Sequence, residues 1–207
     1  MGAFARTSAD DNALVLSNNH VLANENDSNI GDPILQPGVT DGGQAEDRIG
    51  SLAFYVPLNP TGVNRMDCAV AVIDSDVEYE ARELRNIGIL EDLAPNDELP
   101  ANDLVEKIGR TTGHTVGRVT AFELDNVVVG YDLGEIRFDG QIEIEGTGEA
   151  PFSTGGDSGS LIFTSEGHRP WALLFAGSER GGQNAQGLTF ASPLRPALQA
   201  MHVSLIR

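Results

Sequence analysis

The stretch that decides the fold is Thr154-Gly155-Gly156-Asp157-Ser158-Gly159-Ser160-Leu161-Ile162-Phe163, a glycine-rich turn that runs directly into an apolar strand. Glycine gives the backbone of such a turn conformations that other residues rarely adopt. A serine there can hold its hydroxyl clear of the backbone, and two N–H groups can point into one space where an oxyanion could form. The same residue types also build ordinary turns, so catalysis needs partners elsewhere in the chain.

One histidine and one aspartate lie where such partners are needed. A nucleophilic serine requires a base, and the base requires a carboxylate that orients it. His20 ends an apolar run that begins at Ala13, and Asp67 opens the apolar run 67–73. The order along the chain is His, Asp, Ser, and each residue lies at the edge of an apolar strand. We therefore predict that His20, Asp67 and Ser158 form a catalytic triad.

This pattern resembles the chymotrypsin-like (trypsin-fold) serine peptidases, which share the order of the three residues and a Gly-Asp-Ser-Gly nucleophile turn. A second segment, Gly109-Arg110-Thr111-Thr112-Gly113, is similar to a Gly-Arg-Thr-Thr-Gly segment of bacterial members such as the α-lytic type. The resemblance extends over about residues 2–201. It implies a serine endopeptidase that hydrolyses peptide bonds through an acyl-enzyme, without a cofactor.

The sequence predicts an all-β fold. Short apolar or alternating segments separated by turn residues are typical of antiparallel strands. The predicted strands are 2–6, 13–18, 50–57, 67–73, 104–109, 116–123, 126–129, 135–139, 141–145, 160–164, 171–176 and 187–191. A C-terminal helix is expected after Ser192 as N-cap and Pro193 as the first helical residue. Its apolar face would consist of Leu194, Ala197, Leu198 and Met201.

The resemblance implies two six-stranded antiparallel β-barrels with the site in the cleft between them. Residues 1–90 would form the first half, which carries His20 and Asp67, and residues 104–207 the second. The polar segment 91–103 reads as the linker, and 24–47 as a long surface loop. Because His20 lies so near the start of the sequence, we expect the first barrel to lack its first strand, or to receive it from another segment.

The resemblance also assigns the parts that surround the nucleophile. The N–H groups of Gly156 and Ser158 would form the oxyanion hole. Arg110 would form a buried salt bridge with Asp157, because the chain shows no freed N-terminal amine to pair with that carboxylate. The alternative is that Arg110 is a solvated charge at a strand end and Asp157 a turn former.

The substrate-binding pocket follows from the same resemblance. Phe152 would form its floor, and Phe175, Ala176, Gly177 and Thr189 its walls. None of these residues carries a carboxylate, so we expect a small or medium apolar side chain to be preferred over arginine or lysine. The alternative is that Phe152 and Phe175 are core residues.

Composition restricts the partners. The formal net charge of −18 argues against nucleic acid and anionic membranes. Cys68 is the only cysteine, so no internal disulfide can form, and we expect it to be a buried apolar residue.

No zinc-type motif is present, so no metal is expected. Residues 1–12 lack the apolar core of a signal peptide, and no apolar run is long enough to cross a bilayer. The remaining histidines, His114, His168 and His202, are expected to be surface or structural residues.

We therefore expect a cytoplasmic rather than a secreted protein, with a peptide or protein as substrate. The sequence leaves open whether the chain belongs to a larger polypeptide or assembly.

Two other functions compete with a peptidase. The first is a peptide-binding or scaffolding module of the same fold that cleaves little or nothing. Phe175 favours it, because many relatives have there a serine whose hydroxyl supports the catalytic aspartate, and Asp67 would lose that donor unless water or a backbone group replaces it. The second is an esterase or lipase, but the α/β-hydrolase order is Ser, Asp, His with a different motif.

Overall fold

The computed structural model describes residues 2–7, 12–93 and 104–206, and within them strands dominate. The first half is an open six-stranded sheet whose strand order is β17-β1-β2-β6-β4-β3. Its members are β1 (Ala3–Thr7), β2 (Ala13–Ser17), β3 (Pro33–Leu35), β4 (Arg48–Tyr55), β6 (Ala69–Ile73) and β17 (Val203–Leu205). All neighbours in the sheet pair antiparallel.

The second half is a closed six-stranded barrel, as predicted, in the order β10-β13-β16-β15-β14-β9. Its strands are β9 (Leu104–Gly109), β10 (Gly113–Leu124), β13 (Gln141–Gly146), β14 (Leu161–Thr164), β15 (Pro170–Ser178) and β16 (Leu188–Pro193). The barrel is antiparallel throughout. Strand β14 begins where the glycine-rich turn ends, so the barrel fixes that turn at its rim.

Shorter elements join the two halves. A three-stranded sheet contains β11 (Val127–Tyr131), β12 (Gly134–Phe138) and β5 (Val63–Asn64). Strand β12 pairs with β5 in parallel orientation, and this pairing links a hairpin of the second half to the first half. The remaining strands and α-helices are β7 (Glu83–Leu84), β8 (Gly88–Ile89), α1 (Asn19–Leu22) and α2 (Leu194–Ala200). No helix in the described ranges is long and apolar enough to span a bilayer.

Four details differ from the sequence-based expectations. In the described ranges one closed barrel is found, and the first half is an open sheet where a barrel was expected. The sixth strand of the first sheet is β17, so the predicted half 104–207 does not lie entirely in the second barrel. The predicted surface loop 24–47 contains β3. Helix α2 has Pro193, not Ser192, at its N-cap position. Of the predicted linker, residues 94–103 lie outside the described residues, so the linker stays a prediction.

A shared apolar core holds the two halves together. One buried cluster combines residues of the first sheet, such as Leu16 and Val70, with Leu161 and Leu173 of the barrel and with the apolar face of α2. Cys68 belongs to this cluster and is fully buried, as predicted. Burial, followed by the charge of Asp67, raises the pKa of the Cys68 thiol far above its ordinary value.

Candidate active site

The strand register places His20 and Asp67 together. Ser17, at the end of β2, pairs with Ala69, at the start of β6, so the residues just beyond them meet at one edge of the sheet. The His20 Nδ1 atom lies 2.5 Å from Asp67 Oδ2. An ionised carboxylate can only accept, so Nδ1 carries the proton and Nε2 is free to accept one.

Asp67 is held from several sides although it is fully buried. Its Oδ1 atom accepts hydrogen bonds from the backbone N–H groups of Asn19 at 2.6 Å and His20 at 3.3 Å. Its Oδ2 atom accepts a second hydrogen bond, from the Tyr131 hydroxyl at 2.8 Å. Four donors therefore satisfy the hydrogen-bonding capacity of this buried side chain.

Sequence reasoning missed Tyr131. It expected Asp67 to lose a donor unless water or a backbone group replaced it, whereas the structure supplies a side-chain hydroxyl from β11. No local motif marks Tyr131, because its contact with Asp67 depends on how the β11–β12 hairpin docks on the first half.

Asparagines that sequence reasoning did not single out fix the segment that carries His20. The Asn18 side chain donates to the carbonyl of Asp67 at 2.7 Å. The Asn19 side chain donates to Asn26 Oδ1 at 2.7 Å and to the carbonyl of Val56 at 2.8 Å. These bonds tie α1 to the loop that follows it and therefore restrict where the histidine can move.

The nucleophile turn packs directly against the end of β2. Gly159 has a φ of +81°, and a Cβ built on it would lie 2.0 Å from Ser17 Oγ, so only glycine fits there. Its N–H donates to the carbonyl of Leu174 at 2.8 Å. Ser158 is therefore held beside the segment that leads to His20, and its side chain is half-buried.

The structure does not complete the predicted triad with a hydrogen bond. Within the described ranges, no hydrogen bond joins Ser158 Oγ to the ring of His20 or to another group. Such bonds are often long before substrate binds. The triad as a catalytic unit therefore stays a prediction, with His20 and Asp67 joined and Ser158 on the turn that packs against the end of β2.

The backbone of the turn suits the predicted oxyanion hole. Gly156 has a φ of +93°. Among the residues that the structure describes, no acceptor is found for the N–H groups of Gly156 and Ser158. Both donors are thus free of internal partners, and their role as an oxyanion hole stays a prediction.

The predicted salt bridge between Arg110 and Asp157 is wrong. The Arg110 side chain is largely exposed and pairs with Asp41, with Nε 2.9 Å from Oδ2. Asp157 is fully buried and instead accepts from the N–H groups of Thr111 at 2.8 Å and Thr154 at 3.0 Å. The physical reason is position: Arg110 lies at the turn after β9, where its long side chain reaches solvent.

Lys107, the only lysine of the chain, is the buried cation beside Asp157. Its Nζ atom lies 3.6 Å from Asp157 Oδ2, and both side chains are inaccessible to solvent. It also donates to the Thr112 hydroxyl and, at 3.0 Å, to the carbonyl of Gly113. Burial lowers the pKa of Lys107, and the charge of Asp157 opposes that shift.

A signal for Lys107 was present in the sequence. Side chains alternate between the two faces of a strand, and Lys107 is two residues from Val105, which faces the barrel interior. The lysine therefore had to enter the core.

Acid stability should depend on Asp157. Burial raises its pKa, but hydrogen bonds from the Thr112 hydroxyl and from the backbone of Thr154, Thr111 and Thr112 outweigh burial and leave that pKa below its ordinary value. A carboxyl with a lowered pKa stabilises the fold above about pH 4, and that contribution is lost as the pH falls through the lowered value. We expect Asp157→Asn to lose less stability on acidification than the wild type does.

Urea unfolding between about pH 5 and pH 2 measures this difference. Asp76→Asn, at an exposed aspartate, is the control. An Asp157→Asn variant whose stability falls as steeply with acid as the wild type would contradict the assignment.

The predicted pocket residues divide into two groups. Phe152 and Phe175 are each 2% exposed and pack as core residues, the alternative that the sequence left open. Gly177 and Thr189 face each other across paired strands, and Thr189 Oγ1 lies 2.6 Å from Ser153 Oγ. Ala176 packs against the Phe175 cluster. The pocket itself stays a prediction.

The other histidines lie away from these groups. The His114 Nε2 atom lies 2.6 Å from Glu106 Oε2 at the surface, His168 packs edge-on against Phe163, and His202 is exposed. Among the described residues, no cluster of three or more histidine, cysteine or acidic side chains could hold a metal ion.

Comparison with known proteins adds one sequence relative. No family model matches the sequence. The protein NARROW LEAF 1 of Oryza sativa subsp. japonica is 31% identical over 169 residues, which cover 73% of this chain. The chain spans only 28% of the length of that relative.

Solved structures match over nearly the whole chain. Protease A of Thermobifida fusca has a TM-score of 0.63 at 18% identity and covers all of this chain and 90% of its own. A glutamic acid specific serine protease has a TM-score of 0.65 at 20% identity, with 99% and 91% covered. The α-lytic protease homologue N4 has a TM-score of 0.59 at 20% identity, with 100% and 92% covered.

At sequence identities of 18–20%, the similarity to these solved structures is one of fold. The open sheet, the closed barrel and the C-terminal helix all take part in the match. The chain therefore has the fold of the chymotrypsin-like serine proteases, and its structural neighbours include bacterial members of the α-lytic type.

Proposed function

We propose that this chain is a serine endopeptidase that cleaves peptide or protein substrates. The observation that carries the proposal is the hydrogen bond between His20 Nδ1 and the fully buried carboxylate of Asp67. The turn that holds Ser158 packs against Ser17, three residues before His20. A buried carboxylate that fixes one ring nitrogen leaves the other available as a base. Serine protease neighbours at the level of the fold support this chemistry.

Each residue has a role in the proposed mechanism. Ser158 Oγ attacks the substrate carbonyl while His20 Nε2 takes its proton, and the imidazolium formed is stabilised by Asp67. The N–H groups of Gly156 and Ser158 stabilise the oxyanion of the tetrahedral intermediate. The protonated His20 then donates to the leaving amine. Water attacks the acyl-enzyme in the reverse sequence and releases the second product.

Substrate preference follows from the residues at the predicted pocket. Gly177 has no side chain, and the Ser153 and Thr189 hydroxyls beside it are uncharged. A small or medium apolar side chain before the scissile bond suits this lining better than arginine or lysine, whose charge would lack a partner.

A catalytically weak peptide-binding module is the second candidate. It is favoured by one observation, namely that Ser158 Oγ makes no hydrogen bond to His20 in the described part of the chain. The two candidates differ in turnover, since a binding module would retain peptides without cleaving them.

Cleavage of a peptide library by the purified chain separates the candidates. We expect cuts after small or medium apolar residues, because the predicted pocket holds no carboxylate, and products are identified by mass spectrometry. The Ser158→Ala variant controls for contaminating proteases. Cuts concentrated after arginine or lysine would overturn the predicted preference, and peptide retention without any cleavage would favour the binding module.

A further inference from the structure

The β11–β12 hairpin belongs to the second half but reaches the aspartate of the first half. Tyr131 is the last residue of β11, and its hydroxyl donates to Asp67 Oδ2 at 2.8 Å. The same oxygen atom accepts the hydrogen bond from His20 Nδ1. One carboxylate oxygen is thus shared by the histidine and the tyrosine.

Tyr131 is suited to act only as a donor. Burial, followed by the charge of Asp67, raises the pKa of Tyr131 well above its ordinary value. The hydroxyl therefore keeps its proton over the range in which histidine titrates. The Tyr131 ring also meets the His20 ring edge-on, with centroids 5.7 Å apart, and so restricts the imidazole directly.

Aromatic packing fixes the position of Tyr131. Its ring contacts Phe138 at a centroid distance of 6.1 Å, and Phe138 packs against Phe175 at 4.7 Å. Phe175 therefore supplies no hydroxyl to Asp67 but supports the residue that does. At the hairpin tip, the N–H of Leu133 donates to Glu25 Oε2 at 3.1 Å, which anchors the hairpin to the first half.

We propose that Tyr131 is a positioning residue of the site: its hydroxyl orients Asp67 and its ring orients His20. The hairpin of the second half thus helps to hold the His20–Asp67 pair of the first half in place. This inference rests on the proposed function for its kinetic consequences, but the geometry that it concerns exists without turnover. No proton is transferred by Tyr131 at any step.

Tyr131→Phe tests the inference because it removes only the hydroxyl. A hydrogen bond to a charged group is strong enough that we expect labelling of the serine by a fluorophosphonate to slow about tenfold. Without the tyrosine donor, more negative charge on Asp67 faces His20 and favours the imidazolium. The acid limb of the pH–rate profile should therefore move to higher pH. Glu25, the other charged group that acts on Tyr131, stays unchanged.

Proton NMR provides a readout that does not need catalysis. The Nδ1 proton of His20, which is hydrogen-bonded to Asp67, should give a low-field resonance that shifts in Tyr131→Phe. Tyr79→Phe is the matched control, because Tyr79 stacks on Phe4 away from the site and should change neither the resonance nor the labelling.

The outcomes separate this inference from the proposed function. A wild type that is not labelled contradicts the proposed function, and the NMR shift alone then decides the role of Tyr131. An unchanged resonance and an unchanged pH profile in Tyr131→Phe would overturn the inference. Slower labelling alone would not support it, because a purely structural defect would also slow labelling.

Discussion

Ser158→Ala is expected to lower peptide hydrolysis by up to about a millionfold, the size of effect seen when a triad nucleophile is removed. The variant keeps the turn and both proposed oxyanion donors but has no hydroxyl that can form the proposed acyl-enzyme. It should fold normally, because the lost hydroxyl makes no hydrogen bond within the described residues. Hydrolysis of a cleaved library peptide, together with circular dichroism, measures both effects.

Ser160→Ala is the matched control for this prediction. The Ser160 hydroxyl donates to the carbonyl of Asp157 at 2.6 Å and is buried, so it is occupied within the fold. We expect this variant to retain most of the activity. Loss of hydrolysis in Ser160→Ala with retention in Ser158→Ala would mean that the nucleophile is misassigned.

Lys107→Met should destabilise the protein by about 3–5 kcal/mol, because it leaves the carboxylate of Asp157 buried without its cation. Methionine preserves the unbranched shape, so packing against the barrel interior changes little. The variant should also weaken activity, since Asp157, bonded to Thr111 and Thr112, belongs to the turn that carries the proposed oxyanion donors. Urea unfolding gives the free-energy difference.

Arg110→Met is the contrasting variant. Arg110 and Asp41 form an exposed pair, and such pairs contribute about 0–1 kcal/mol. A Lys107→Met variant as stable as the wild type would contradict the role of Lys107 as the cation that Asp157 requires. An Arg110→Met variant destabilised by several kcal/mol would contradict the assignment of Arg110 to an exposed ion pair.

Much of the fold could be predicted because its signals are local. Alternation and turn residues located the barrel strands within a few residues, and the Gly-Asp-Ser-Gly turn gave the fold that the comparisons confirm. The pairing of His20 with Asp67 was also predicted from sequence, because each residue borders an apolar strand. The structure shows that those two strands are neighbours.

The features that were missed depend on long-range placement. The strand β17 is short, and its partner β1 lies at the other end of the chain, so only the complete fold reveals it. Tyr131 reaches Asp67 because a hairpin crosses between the halves, which no spacing in the sequence encodes. Arg110 was assigned to Asp157 because a motif was matched by residue type, and Lys107, which the alternation of β9 turns inward, was not considered.

Mapping a fluorophosphonate adduct by mass spectrometry tests the central claim most directly, because only a serine activated by a base reacts readily with such a reagent. The native wild type should carry one adduct, on Ser158, and the labelling should be lost in His20→Ala and in Ser158→Ala. A native protein that acquires no adduct, or that is labelled on another serine while Ser158 stays free, would contradict the assignment of His20, Asp67 and Ser158 as a working triad.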